Sequence, residues 1–170
     1  MQVCMLRLPL NPLSSAVSPP ASRAVTLRIG IALSSLVSAL VALYLHLWKL
    51  GLTGSLACSS GNGCALVQGS RFGWFLGVDV ALIGAVGYAA LFVVAMLGTT
   101  PRWEEDKWPT LALMALIFPA LAFTVRLKYA EFVILRGFCP WCAVSAVTIT
   151  LCTALVFLDW RRLKRLGVVG

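Results

Sequence analysis

Cys139 and Cys142 stand three positions apart in the stretch Gly137-Phe138-Cys139-Pro140-Trp141-Cys142, where polar chain gives way to apolar chain. Proline suits the first turn of a helix, because its missing N–H leaves nothing unsatisfied there. Cys139 is therefore predicted at or near an N-cap and Cys142 about one turn in. Residues three apart share a helix face. The two sulfurs can close a disulfide or stand as a dithiol, and the free N–H groups and positive dipole end favour a thiolate. A second pair, Cys58 and Cys64, brackets Ser59-Ser60-Gly61-Asn62-Gly63. Gly, Ser and Asn permit tight turns, so these two sulfurs can approach each other or swing toward a third.

Both pairs need elements to hold them, and composition says which. The 170 residues are 60% hydrophobic and only 12% charged, with a mean hydropathy of +0.92. That is the profile of a small polytopic membrane protein rather than a soluble domain. Four apolar segments, 25–47, 80–97, 109–125 and 138–158, each approach the roughly 20 residues that cross a bilayer. The expected architecture is an all-α, integral membrane four-helix bundle with a cysteine-bearing loop between its first and second helices. The net charge of +8 does not point to nucleic acid, since the basic residues flank hydrophobic spans without interleaved stacking aromatics.

Along the chain, residues 1–24, rich in Pro and Ser and including Cys4, read as a flexible cytoplasmic tail. Residues 25–160 form the membrane domain, and 161–170 a basic tail. The first span is longer than a cleaved signal's apolar core and reads as an anchor. Ser55-Leu56-Ala57-Cys58 has the outline of a lipidation site, but Ser55 stands where a branched apolar residue is usual. Cys64 to Gln68 is expected to begin a short amphipathic helix over the bundle mouth, ended by Gly69. Ala81, Gly84, Ala85, Ala89 and Ala90 read as helix-packing positions, and Pro119 as a bend in the third span. Arg126, Lys128, Glu131 and Arg136 mark a short polar connection to the dithiol helix.

Four spans leave both termini on one side. Arg7, Arg23, Arg28, Arg102, Lys107, Arg161, Arg162, Lys164 and Arg165 fall on that side, against Lys49, Arg71, Arg126, Lys128 and Arg136 on the other. The bias predicts cytoplasmic termini. Both cysteine pairs then face the non-cytosolic compartment, where disulfides persist.

The ordered set of Cys58, five residues, Cys64, then Ser70 and a Gly/aromatic run, four spans, and a CxxC at the start of the last helix resembles the vitamin K epoxide reductase family. The likeness covers roughly residues 25–158, and the Cys-x5-Cys spacing is closer to the bacterial branch. Many bacterial members carry a fused thioredoxin-like domain after an extra helix. This sequence stops at Gly170, so the resemblance implies a separate thioredoxin-fold partner and a bacterial cell membrane.

The activity so implied is thiol–disulfide exchange linked to a quinone. Cys58 would exchange with the reduced partner, Cys64 would pair with Cys139, and Cys142 would lie beside the quinone. Ser70 would support the quinone site; its other reading is a helix or turn cap. Phe72, with Trp74 and Phe75, is read either as a wall of that site or as a membrane belt. Asp79, at an apolar boundary, is read as functional or as a solvated loop end. The animal enzymes carry an asparagine near the start of the second span and a tyrosine four residues after the last cysteine. Val80 and Ala146 stand there in this chain, so the implied quinone is ubiquinone or menaquinone, with a vitamin K-type quinone the other option. Cys152 is read as a small buried hydrophobe and His46 as interfacial packing. Three rival readings remain: a Cys4 zinc site, a structural subunit stapled by disulfides, and a different four-helix quinone-linked disulfide generator.

Overall fold

The computed structural model describes residues 20–59 and 61–168, with side chains from Arg23 on. Cys4, Arg7 and most of the expected N-terminal tail lie outside the described residues. Four helices are long and apolar enough to cross a membrane: α1 (Pro20–Lys49), α3 (Val80–Leu97), α4 (Lys107–Tyr129) and α5 (Pro140–Arg165). A short helix, α2 (Gly63–Gly69), lies in the connection between α1 and α3. It runs into a 3₁₀ turn (Arg71–Gly73) and a two-residue hairpin of β1 (Trp74–Phe75) and β2 (Val78–Asp79). The bundle is the all-α architecture expected, and the hairpin is an addition to it. Leu76 and Gly77 turn the hairpin with φ of 51° and 80°, the left-handed pair that a tight hairpin demands.

The helix ends follow local chemistry. α1 stops at Gly51 (φ 73°), where the Leu52 N–H reaches back to the Leu47 carbonyl and satisfies a terminal acceptor. α3 starts on Asp79, whose carboxylate accepts the Ala81 N–H at 3.0 Å. α5 starts on Cys139 with Pro140 in its first turn, as the dipeptide predicts. Two expected boundaries are corrected. Arg126 and Lys128 lie in the last turn of α4, not in a connection, and Glu131 lies in a π turn (Ala130–Ile134) that prolongs it. Cations at a helix C-terminus are favourable, so their charge did not end the helix. The same holds for the supposed basic tail: α5 continues to Arg165, with Leu163 fully buried and Arg162 nearly so.

α1 packs on α3 and α5, and α4 on α5 and α3. The core joins Ile31, Tyr88, Leu91, Ala95, Leu113, Ile117, Ile149 and Val156. The outward face is apolar too, with Leu33, Leu40, Val86 and Val147 more than half exposed, as a lipid-facing surface requires. Gly84 brings α3 close to α1, since a Cβ there would sit 3.7 Å from that of Ala42. Ala89, expected to pack, faces outward instead.

At the end carrying the chain termini, Arg28 is fully buried rather than a flanking charge. Its guanidinium donates to Asp159 at 3.0 Å, to Thr110 at 3.2 Å, and to the carbonyls of Gly98, Trp103 and Glu104. Thr110 in turn donates to Asp159 at 2.7 Å. One side chain thereby ties α1, the α3–α4 connection, α4 and α5 together. Breaking a buried pair by removing one partner costs about 3–5 kcal/mol, because the survivor stays buried and uncompensated. Asp159→Ala is accordingly expected to lower the thermal unfolding midpoint in detergent strongly, while Glu105→Ala, at an exposed turn, leaves it within error; equal midpoints would contradict the tie.

Candidate functional site

The four paired cysteines gather at the end of the bundle away from the chain termini. Cys58 and Cys64 are joined by a disulfide, with Cα atoms 6.1 Å apart. Cys64 is fully buried and Cys58 half-buried, so the bonded pair offers one sulfur outward and keeps one inward. Gly61, at φ 61°, makes the turn between them. Cys139 and Cys142 are separate thiols on the first turn of α5. Cys139 is the N-cap and is fully buried; its sulfur accepts the Cys142 N–H at 3.4 Å.

Two hydrogen bonds connect the pairs. Gln68, one turn beyond Cys64 on α2, donates to the Cys142 sulfur at 3.3 Å. Trp141, between the inner cysteines, donates from its indole N–H to the Ala57 carbonyl at 2.7 Å, next to Cys58. Tyr44 braces this second link: its ring meets Trp141 edge-on at 5.9 Å and its hydroxyl accepts the Ala57 N–H. Gly137 lies under α2, where an added Cβ would come within 3.1 Å of Leu66. The short helix is therefore a cap pressed onto the start of α5, where an amphipathic helix over the bundle mouth was expected.

The segment after the cap is clasped to α1. Asp79 is 4% exposed and bonded to Lys49 at 2.5 Å and to His46 Nδ1 at 2.7 Å. Burial pushes its carboxyl up, but the bonds from Lys49, His46 and the Ala81 N–H outweigh that and hold it below the ordinary aspartate range. Neither a solvated Asp79 nor a merely packing His46 survives this geometry. Lys49 also donates to the Gly73 carbonyl at 3.2 Å. Gly73 must be glycine, since a Cβ there would fall 2.2 Å from the Gln68 carbonyl oxygen. Ser70 holds the 3₁₀ turn, donating to the Val67 carbonyl at 2.8 Å and accepting the Phe72 N–H at 3.3 Å.

Beneath the cap lies a cavity of about 100 Å³ with mostly apolar walls, on which Cys142, Trp141, Gln68, Phe72, Tyr88, Lys128 and Glu131 also sit. It shares Val80, Gly84, Tyr88, Leu127 and Ser145 with a second hollow of about 360 Å³ between α3 and α4. Such a space, apolar with a few convergent polar groups, suits a flat ring bearing carbonyl oxygens. Of the residues expected at the acceptor site, Phe72 forms part of the wall, and Ser70 and Asp79 hold the segment behind it. Ala146 lines neither hollow but a shallow outer groove. Tyr88, whose hydroxyl meets that of Ser145 at 2.7 Å, supplies a polar ring from α3.

Three side chains escaped the reading of the sequence. Gln68 carried a signal, four residues beyond Cys64 on the same helix face. Trp141 was visible only as the spacer of a CxxC. Glu131 sits in sequence where a polar connection is expected, yet it is 2% exposed and accepts the Cys139 N–H at 2.7 Å on one oxygen and Lys128 at 2.7 Å on the other. Cys152 is buried in α5 as expected, with its sulfur 3.5 Å from the Ser34 hydroxyl. Among the described residues no three His, Cys, Asp or Glu side chains converge to hold a metal, and the loop thiols that a Cys4 site needs are bonded to each other.

Donation from the Cys142 thiol, against burial and with help from the Cys142 N–H, lowers the Cys139 thiol to about 7. The site is thus a disulfide held against a pair of thiols, one of them lowered, at the mouth of an apolar cavity in a membrane bundle. Sulfurs so placed suit thiol–disulfide exchange. The model of the vitamin K epoxide reductase family matches residues 29–157, most of the chain, and the protein belongs to that family, whose members are quinone-linked thiol–disulfide oxidoreductases. Because the thiolate is the nucleophile, modification of the inner pair by a small thiol reagent is expected to accelerate with pH around a midpoint of about 7 and to lose that midpoint in Cys139→Ser. A midpoint near that of an ordinary thiol, about 8.5, would contradict the assignment.

Proposed function

We propose that this protein takes electrons from a reduced thioredoxin-fold partner through Cys58–Cys64 and Cys139–Cys142 to a membrane quinone, and so supports disulfide formation. The observation that carries this reading is the contact of Gln68 with the Cys142 sulfur, which sets the disulfide-bearing cap directly over the inner pair and the cavity. The greater number of basic residues toward the terminal end supports cytoplasmic termini and an extracytoplasmic site, in a bacterial cell membrane.

A partner thiolate attacks Cys58, the more accessible sulfur, and Cys64 leaves as a thiolate. On the Gly61-Asn62-Gly63 link, Cys64 then attacks Cys139 of an oxidised inner pair, forming a Cys64–Cys139 bond and freeing Cys142. The partner's second thiolate attacks the partner sulfur of the mixed disulfide, releasing the oxidised partner and the Cys58 thiolate; attack by Cys58 on Cys64 then restores the loop disulfide and leaves Cys139 and Cys142 as a dithiol. Each step breaks one S–S bond and makes one. The quinone, ubiquinone or menaquinone, supplies the final sink by accepting two electrons and two protons as it becomes a quinol. Phe72 and Trp141 would hold its ring in the cavity, with Cys142 toward it. Ser70 and Asp79 would keep that wall in place, Ser70 through the 3₁₀ turn and Asp79 through its clasp on Lys49 and His46.

Two other readings lose ground here. A Cys4 zinc site requires four converging thiolates, and a structural subunit requires stable inner and outer staples rather than an inner pair of separate thiols. The test is reconstitution of the purified protein in vesicles with quinone and a reduced thioredoxin-fold protein, following both redox states. Quinone reduction should match partner oxidation mole for mole, and Cys142→Ser should lower both at least a hundredfold, that is by about 2.7 kcal/mol or more in transition-state stabilisation. Partner oxidation unchanged in Cys142→Ser would overturn the relay in favour of a structural role.

A further inference from the structure

Tyr88 from α3, Thr124 from α4 and Ser145 from α5 each line both the cavity under the cap and the second hollow. They set hydroxyls at the junction of two mostly apolar spaces; the rest of the second hollow's lining, from Phe75 to Leu127, is apolar. Tyr88 and Ser145 are joined. The Tyr88 hydroxyl donates to the Ser145 carbonyl at 2.9 Å and lies 2.7 Å from the Ser145 hydroxyl. Tyr88 is only 7% exposed, and a buried hydroxyl is costly without a partner. The plain role of this pair is a tie between α3 and α5.

A count of hydrogens shows that the pair can do more. Each hydroxyl owns one. With the Tyr88 hydrogen on the Ser145 carbonyl, the 2.7 Å contact is closed by the Ser145 hydrogen. That carbonyl lies inside α5 and accepts the helix's own N–H from four residues on. It therefore stays satisfied when the Tyr88 hydrogen turns to another acceptor, and the tie to Ser145 survives the turn. The other strong donors on the cap cavity's wall are engaged, Gln68 with the Cys142 sulfur and Lys128 with Glu131. Val80, on the same walls, is apolar, and Ala146 faces an outer groove.

Position favours the same use. Ser145 follows Cys142 by three residues, so the two share a face of α5, about 4.5 Å apart along its axis. A flat ring whose carbonyl oxygen meets Tyr88 there has the Cys142 sulfur beside it on the same wall. We propose that Tyr88 is the hydrogen-bond donor to one carbonyl oxygen of the quinone, with Ser145 as its positioning residue. The hydroxyl keeps its proton; its dipole polarises the carbonyl, where negative charge gathers as electrons arrive from the cysteine pair. The inference rests on the proposed function for the class of ligand and adds to it the group that orients the ring.

The test needs no turnover. Full-length protein with both cysteine pairs oxidised is mixed with a short-chain ubiquinone or menaquinone, isotope-labelled at the carbonyls, and the labelled-minus-unlabelled infrared spectrum isolates the carbonyl bands. In wild type one band should lie below its position in detergent alone. Tyr88→Phe, which keeps the packing of the ring, should return that band to the detergent position and weaken binding about tenfold, as loss of one hydrogen bond implies. Ser145→Ala should keep a lowered band, because the Tyr88 donor remains. A tie with only a structural role would leave the carbonyl bands of wild type and Tyr88→Phe alike. A band that is not lowered in wild type, or that stays lowered in Tyr88→Phe, overturns the proposal. Should Tyr88→Phe fail to fold, the tyrosine C–O band of wild type decides: movement on quinone binding supports the donor, and an unmoved band overturns it. Wild type that binds neither quinone overturns the proposed function together with this inference, whereas equal binding by wild type and Tyr88→Phe overturns this inference alone.

Discussion

Everything at the reactive end depends on α2 lying flat against the start of α5. Two side chains impose it: Gln68 reaching the Cys142 sulfur and Trp141 reaching the Ala57 carbonyl. Hydrogen bonds of this kind stabilise by about 1 kcal/mol each, net of solvent. That is enough to select a resting position for the cap and small enough to be given up when a sulfur changes partner. The proposed relay needs this balance, because in it Cys64 would serve Cys58 at one stage and an inner sulfur at another.

The same end is stiffened where motion would be harmful. Asp79 fixes β2 and the start of α3 to the last turn of α1 through Lys49 and His46, and Lys49 extends the clasp to Gly73. At the opposite end Arg28 and Asp159 lock α1, α4 and α5 together with the α3–α4 connection. Between the two polar anchors the bundle is apolar and leaves hollows between its helices. Gly61, at φ 61°, lies in the link between Cys58 and the cap, where the backbone can change direction at low conformational cost.

Much of this was legible in the chain. The four spans followed from hydropathy, and the cap of α5 from Pro140, because proline's fixed φ and missing N–H act locally. α2 and its end at Gly69 followed from a short amphipathic pattern. The polar interior was not legible. Arg28, Glu131 and Asp159 look like boundary charges in one dimension, and only the packing of distant helices reveals that each has a buried partner. Asp79 drew suspicion for its position at an apolar edge, but its partners lie 30 and 33 residues away. The hairpin at Leu76-Gly77 escaped notice because leucine is a poor residue for a left-handed turn.

The central claim is that a loop sulfur and an inner sulfur exchange directly. Replacing Cys58 with serine removes the thiol that would resolve the transient bond, so Cys64 should stay linked to Cys139 after mild oxidation. Peptide mapping of the non-reduced Cys58→Ser protein measures this in one step. The account predicts a Cys64–Cys139 crosslink with Cys142 left as a thiol; Cys64 recovered as a free thiol beside an intact Cys139–Cys142 disulfide would contradict it.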